Sequence, residues 1–359
     1  MHQEADAMIV GVPREVKEGE RRMGLGPDMV RTLASDGHEI RIERGAGAGI
    51  GIADEAYAAA GARMVDAEGA WEAELVVKVK ELQESELATL PHGRVIFGFQ
   101  HLPGEPQRTR ALAARGSTAI AFEMVRDVRG EFPLLAPMSV IAGRMAIDVA
   151  SDILRGAPRR VLVLGAGHAG LAAAQAARAH GAEVVVLTRS GASIVAARRE
   201  GLAADAATAA SIEAAALQAD LVVGAVFVPA MRTPKLLPRS LVRRMRRGAM
   251  IVDISIDAGG VAETSRPTTH ADPAYVEEGV VHYCVPNMPA ARPRESAAAL
   301  WEAALPFVQE MCERGIAAAV RDNGALRCGV LLWRGRVVHE GLAHEAGLAF
   351  SPLTSEDLR

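Results

Sequence analysis

Six residues, Gly165-Ala166-Gly167-His168-Ala169-Gly170, have the types and spacing that can seat a dinucleotide. A Gly-x-Gly-x-x-Gly run is weak evidence alone, because glycine is common. Here the run follows an apolar segment, Arg160-Val161-Leu162-Val163-Leu164, and opens an alanine-rich stretch that reaches His180 and stops at Gly181. A further apolar run, Val184-Val185-Val186-Leu187, completes a strand–helix–strand unit. In such a unit the first glycine permits a tight turn, the second admits a pyrophosphate to the backbone, and the third lets helix pack on strand. The helix N-terminus then offers unpaired N–H groups and a partial positive charge. The chemistry implied is hydride transfer with a nicotinamide dinucleotide. A carboxylate ending the second strand would bond the ribose 2′-OH and favour NAD. Leu187-Thr188-Arg189-Ser190 stands there instead. A guanidinium and two hydroxyls predict NADP(H) over NAD, unless Arg189 only points into solvent.

The elements that must position this turn are legible as alternating strands and helices. Met8-Ile9-Val10-Gly11-Val12, closed by Pro13, reads as a buried strand, and Glu39-Ile40-Arg41-Ile42-Glu43 alternates strictly. Leu75-Val76-Val77-Lys78-Val79-Lys80, Val95-Ile96-Phe97-Gly98-Phe99 and Ala119-Ile120-Ala121-Phe122 read as further strands, with helical patterns over residues 27–36 and 107–115. After a helix over residues 139–154 come strands at residues 160–164, 184–187, 221–226, 250–254 and 280–283. From Pro293 a helix runs through Cys312, and short mixed elements follow. Alternation of this kind implies an α/β fold with mainly parallel sheets. A chain of 359 residues exceeds what one core fills, so two domains are expected.

Composition excludes several classes. Half the residues are hydrophobic but only 4% are aromatic, so the core rests on Ala, Val, Leu and Ile. Net charge is −4, and no basic stripe is interleaved with aromatics, which argues against a nucleic-acid partner. The run Arg243-Arg244-Met245-Arg246-Arg247 reads as the solvated end of a helix stopped by Gly248. Cys284, Cys312 and Cys328 are scattered, so neither a disulfide framework nor a metal site is expected, and a reducing compartment fits. No apolar run approaches the ~18 residues of a membrane span. Residues 1–6 lack a basic-then-apolar leader pattern, so cytoplasm is the expected location.

Beyond these patterns, with Glu263-Thr264-Ser265-Arg266-Pro267-Thr268-Thr269-His270, His282-Tyr283-Cys284 and Asn287-Met288-Pro289 the chain resembles the alanine dehydrogenase family, which shares ancestry with the nucleotide-binding subunit of the proton-pumping transhydrogenase. The segments that carry the resemblance run from Val10-Gly11-Val12-Pro13-Arg14-Glu15 to Gly347-Leu348. They include Lys78-Val79-Lys80-Glu81, Leu134-Leu135-Ala136-Pro137-Met138-Ser139, Ala142-Gly143-Arg144, Gly224-Ala225-Val226 and Asp253-Ile254-Ser255-Ile256-Asp257. Most specific are the three at residues 263–270, 282–284 and 287–289. The expected architecture is two Rossmann-like domains with an active-site cleft between them. Residues 8–133 with 294–359 would form a discontinuous substrate domain, and residues 134–293 the dinucleotide domain.

The resemblance also implies roles. Arg22 matches the arginine that clamps the substrate carboxylate, a task suited to a planar fork, although Arg21 competes for it. Lys80 matches the lysine that orients the carboxylate and carbonyl; Lys78, two residues back on the same strand face, competes likewise. His101 matches the general acid/base, and Asp257 the aspartate beside the nicotinamide. Ser139, Gly165, Gly167, His168, Ala169, Gly170, Thr188, Arg189, Val226, Phe227, Ile254, Arg266, Asn287 and Met288 would line the cofactor with Asp257. Glu123 would support the site.

The chain departs from the family pattern around these residues. It has Met23-Gly24 after the arginine, Gln100 ahead of the histidine, Leu102-Pro103-Gly104 after it, and Trp301-Glu302 in place of a Thr-Asn pattern. The expectation is an amino acid dehydrogenase or imine reductase acting on a substrate other than alanine. The alternatives are a genuine alanine dehydrogenase using NAD, or a transhydrogenase-like nucleotide-binding subunit without its own substrate; retention of His101 counts against the last. A glycine-rich insert of the family, ahead of the strand at Val161, is absent. Alanine dehydrogenases are typically hexamers and the transhydrogenase subunit a dimer, so a homo-oligomer is expected, with a dimer favoured over a hexamer.

Overall fold

The computed structural model describes residues 7–228 and 232–359, so the reading of residues 1–6 lies outside the described residues. The chain divides into two compact units, Met1–Pro137 with Arg292–Arg359, and Met138–Ala291. The first unit contributes β1 (Ile9–Val12), β2 (Glu39–Glu43), β3 (Arg63–Val65), β4 (Leu75–Val77), β5 (Val95–Gly98) and β6 (Thr118–Ala121). The second contributes β7 (Arg160–Leu164), β8 (Glu183–Thr188), β9 (Ala203–Ala206), β10 (Leu221–Gly224), β11 (Met250–Asp253), β12 (Ala274–Glu277) and β13 (Val280–Tyr283). The first unit is completed by β14 (Val330–Trp333) and β15 (Arg336–Val337).

In the first unit the strand order is β15-β14-β6-β5-β4-β1-β2-β3. Strands β1 to β6 run parallel, while β14 is antiparallel to β6 and β15 to β14. Central strands such as β4 and β6 are buried along their whole length, as parallel strands covered on both faces must be. Between β1 and β2 the helix Pro27–Ser35 starts on a proline that presets φ, and it turns Met29, Val30 and Leu33 inward. Val76, Ile96, Leu112 and Leu332 belong to one apolar cluster of this unit.

The second unit has the order β12-β13-β11-β10-β7-β8-β9, parallel except for β12 against β13. Its core is aliphatic, with Leu162, Leu164, Val222, Ile251 and Val280 in one cluster.

Each sheet reverses direction once. The chain lays β2 and β3 to one side of β1 and returns with β4 on the other; likewise β8 and β9 flank one side of β7 and β10 the other. Open α/β sheets bind ligands outside the carboxyl ends of strands at such reversals. The sites to inspect are therefore the ends of β1 and β4, and of β7 and β10.

The structure corrects two sequence readings. The strand expected over residues 75–80 stops at Val77, and the chain bends at Val79 and Lys80, so Lys78 and Lys80 do not share a strand face. The arginine run at 243–247 follows the short helix Arg239–Val242 rather than ending it, and the run is tied down by ion pairs from Arg243 to Glu278, Arg244 to Glu213 and Arg246 to Asp220. The short strands β3, β9 and β12 escaped the reading because three or four residues of mixed polarity carry no detectable period.

Candidate active site

In the first unit the loops leaving β1, β4, β5 and β6 carry a row of charged side chains, although charge is costly to bury. Arg22, after β1, is 2% exposed and bound in a fork by Glu20: Nε donates to Oε1 at 2.7 Å and Nη2 to Oε2 at 2.6 Å. Arg21 is exposed, which settles which arginine is inward. After β4, Lys78 is 1% exposed and sits between Glu15 Oε2 (3.0 Å) and Glu86 Oε1 (2.7 Å). Burial works against its charge, but the two carboxylates outweigh burial and hold the ammonium above its usual range. Lys78 is thus absorbed in an internal ion cluster. Lys80 instead places Nζ 5.5 Å from the centre of the Phe99 ring, the ring on which His101 also stacks.

His101 follows β5. Its ring lies parallel to Phe99 at 5.7 Å, and Nδ1 is 2.9 Å from Glu81 Oε2. Its φ of 43° is left-handed, a strained choice for a residue other than glycine. Glu123, after β6, holds that backbone: its carboxylate accepts the N–H of His101 at 2.8 Å and that of Gln100 at 3.2 Å. Glu81 also accepts from Lys17. Burial opposes ionisation of Glu81, but the hydrogen bond and charge of His101, with Lys17 and Lys80, outweigh it and keep the carboxyl well below its usual range. Arg22, Lys80 and His101 thus each have a buried carboxylate beside them: Glu20 at the Arg22 side chain, Glu15 at the Lys80 backbone and Glu81 at the His101 ring. Glu15 takes the N–H groups of Val79 (2.6 Å) and Lys80 (3.4 Å).

In the second unit the three glycines differ in what a side chain would meet. At Gly165, where φ is 102°, a Cβ would lie 2.3 Å from the carbonyl oxygen of Ala225; at Gly170 it would lie 1.9 Å from that of Gly165. At Gly167, which precedes the helix His168–Ala179, a Cβ would meet nothing within 4 Å. The first glycine serves the turn, the third the packing, and the second faces open space beside the N–H groups of the first helical turn. This cradle fits a dinucleotide pyrophosphate.

The remaining expected cofactor residues fall at or near strand ends of the same sheet. Half-buried Thr188 ends β8, Val226 and Phe227 follow β10, Ile254 and exposed Asp257 follow β11, and Asn287 and Met288 follow β13. Ser139 is half-buried in the helix Ala136–Ile153, while His168 and Ala169 open the helix after the turn. Ser255 ties two of these loops together: its Oγ accepts from Val226 N–H at 2.8 Å and donates to Val226 O at 2.9 Å. Asp257 Oδ2 accepts the N–H of Asn287 at 3.4 Å.

The Glu263–His270 motif is a loop folded by its own hydroxyls. Ser265 donates to buried Asp253, whose Oδ2 also takes the N–H of Val261, and Thr264 bonds His282. The guanidinium of Arg266 lies 3.9 Å over the Tyr275 ring, which stacks on His282. Burial lowers the pKa of His282 and keeps it neutral, so Nδ1–H donates to Val280 O. Glu15, Glu20, Glu81 and Asp253 were not singled out from sequence. The available signal was a carboxylate within a few residues of a buried apolar strand, where solvent is scarce.

Residues 11–142 match the N-terminal domain, and residues 141–340 the C-terminal domain, of the family described as Alanine dehydrogenase/PNT. The chain belongs to the alanine dehydrogenase family. It is 40% identical over 363 residues to the alanine dehydrogenase of Halomonas elongata, covering 96% of this chain and 98% of that one. It is 38% identical over 368 residues to that of Bacillus subtilis, covering 96% of each. A solved L-alanine dehydrogenase superposes with a TM-score of 0.88 at 39% identity, covering 94% of this chain and 98% of that one. The transhydrogenase of Sinorhizobium meliloti shares the fold, with a TM-score of 0.81 at 24% identity over 92% of this chain and 100% of that one. This chain is accordingly an oxidoreductase of the alanine dehydrogenase type, acting on CH–NH2 groups. No helix among the described residues is long and apolar enough to cross a membrane.

Family membership overturns the expected preference for NADP(H), because alanine dehydrogenases are NAD-dependent. The local structure shows why the residues at the end of β8 misled. The hydroxyl of Ser190 accepts Ser193 N–H at 3.2 Å as the cap of the helix Gly191–Arg199, and Arg189 is exposed. One of the supposed phosphate ligands is thus a helix cap and another is a surface charge. Two of the departures read as signs of a different substrate, Met23-Gly24 and Trp301, find partners in the fold. Trp301 Nε1–H donates to Met23 O at 2.8 Å, and its ring lies where a Cβ on Gly26 would come within 2.3 Å. Gly24 abuts Val77 O, where a Cβ would come within 2.3 Å. Met23 and Trp301 are thus joined by a hydrogen bond, and Gly24 is fitted to Val77.

Proposed function

We propose that this protein is an alanine dehydrogenase, interconverting alanine and pyruvate plus ammonia with NAD. The observation that carries the reading is the row Arg22, Lys80 and His101 on the carboxyl ends of the adjacent strands β1, β4 and β5. The 36–40% identity to alanine dehydrogenases over nearly the whole chain supports this substrate over a different 2-oxo acid, as does the structural fit of Met23-Gly24 and Trp301.

In this reading NAD, seated by the 165–170 turn, supplies the hydride acceptor for Cα of alanine. Arg22, already held rigid by Glu20, grips the substrate carboxylate, and Lys80 orients it together with the carbonyl oxygen of pyruvate. His101 removes a proton from the water that attacks the imine carbon and returns it to the departing ammonia. Asp257, carried over from the family, assists this proton traffic beside the nicotinamide. We infer a homo-oligomer with a dimer favoured over a hexamer, built on the dinucleotide-binding units. The short connection at residues 154–159, without the family's insert, supports that choice.

The test is NADH and NADPH oxidation with pyruvate, 2-oxobutyrate and glyoxylate, each with ammonium or methylamine. Pyruvate with ammonium and NADH should give the highest kcat/KM. One added methylene should cost roughly 10–200-fold. A tenfold preference for another 2-oxo acid, or for NADPH, would sink the proposal.

A further inference from the structure

We propose that Glu81 is a positioning residue that fixes the tautomer of His101, so that Nε2 is the nitrogen that exchanges protons with the substrate. This rests on the acid–base role proposed for His101 and names the device that would make it work in one ring orientation.

Four observations carry it. Glu81 Oε2 lies 2.9 Å from Nδ1, and the Glu81 side chain is only 7% exposed while that of His101 is 41% exposed. The ring cannot swivel freely, since it lies parallel to Phe99 with an interplanar angle of 9°. The backbone beneath it is held by Glu123 in a left-handed conformation. Finally, although burial opposes it, the hydrogen bond and charge of His101, with the Lys17 bond to the other Glu81 oxygen and the charge of Lys80, keep the carboxylate ionised.

An ionised carboxylate can only accept, so a proton must sit on Nδ1 for the pair to be favourable. The opposite tautomer would set the Nδ1 lone pair against a buried negative charge. Nε2, on the far side of the ring from Glu81, then carries the lone pair when the ring is neutral. It takes a proton as base and returns it from the same atom as acid, without a ring flip. Between those steps Glu81 stabilises the imidazolium, while the cations on its other side discourage it from taking the proton itself. The same logic of orienter, histidine and reacting group recurs on unrelated folds.

The experiment combines steady-state kinetics with nitrogen NMR of histidine-labelled enzyme bound to NADH, the His101 signals being identified by their loss in His101→Asn. In the wild type at pH 8 the Nδ1 resonance should be of the protonated kind. Glu81→Leu should move it toward the unprotonated kind and lower kcat by about 10²-fold or more, with NADH affinity within twofold. Glu81→Gln, whose amide oxygen can still accept from Nδ1–H, should recover at least tenfold of that loss, and it serves as the readout if the leucine variant does not fold. A wild-type ring protonated on Nε2, or a Glu81→Leu enzyme within threefold of wild-type kcat, would overturn the proposal. A His101→Ala enzyme that keeps turnover would refute the underlying acid–base reading instead, because the nitrogen spectrum reports the tautomer independently of activity.

Discussion

Replacing Gly167 and Gly170 in turn by alanine separates the ligand-facing glycine from the structural one. At Gly170 the new methyl would lie 1.9 Å from the carbonyl oxygen of Gly165, about 1.5 Å short of ordinary contact, and both groups are backbone. Overpacking of this kind costs about 1–3 kcal/mol, and more where backbone must move. For a domain of this size that lowers Tm by roughly 2–10 °C. At Gly167 the methyl meets nothing within 4 Å, and φ −83°, ψ −173° is open to alanine. Alanine is a poorer helix cap than glycine by up to about 1 kcal/mol. The stiffer unfolded chain returns about 0.4–1 kcal/mol, so Tm should stay within about 2 °C of wild type. The methyl would nonetheless occupy the face that the pyrophosphate approaches. NADH should bind at least tenfold more weakly, a change of about 1.4 kcal/mol. Thermal melts without nucleotide and fluorescence titration with NADH read the two effects apart. If Gly167→Ala bound NADH like wild type, or lost as much stability as Gly170→Ala, the division of labour argued for the turn would be wrong.

The two lysines should part company. Lys78→Met leaves Glu15 and Glu86 buried without their shared cation and should cost about 3–5 kcal/mol by denaturant melts. Lys80→Met should keep the melt and lose kcat/KM for pyruvate; the reverse pattern would exchange their roles. His101→Ala and Asp257→Asn should each cut kcat by about 10²–10⁴-fold with NADH affinity intact, and retention of more than about a tenth of wild-type kcat would remove that residue from the mechanism. His282 is buried neutral, with its pKa below the usual value, so the unfolded chain binds a proton that the native state refuses. Stability should therefore fall as pH drops below about 6.5. His282→Gln should flatten that slope below about pH 6.5, and an unchanged slope would assign the dependence elsewhere. Light scattering should give a mass near twice 37.8 kDa; a stable hexamer would show that the absent insert does not decide assembly.

What the sequence determined by itself is what depends on near neighbours. The strand at residues 160–164, the glycine turn and the helix after it were legible because hydrophobic period and glycine conformation act within a few residues. Helix ends such as Gly181, where φ is 82°, were legible for the same reason. The family motifs added candidates for the site residues, but not which of two neighbours faces inward. Arg22 rather than Arg21 is turned inward, forked by Glu20 two residues before it, and Lys78 rather than Lys80 is taken up by the buried carboxylates Glu15 and Glu86. Thr188 and Arg189 misled because the role of a strand-end residue depends on what lies opposite it, and a hydroxyl beside them turned out to cap a helix. Trp301, read in sequence as a sign of a different substrate, pairs with Met23, 278 residues away in the chain. Burial makes charge and shape expensive to leave unmatched, so each such residue is answered by a partner. Only the folded chain, which brings distant segments within 3 Å, says which partner that is.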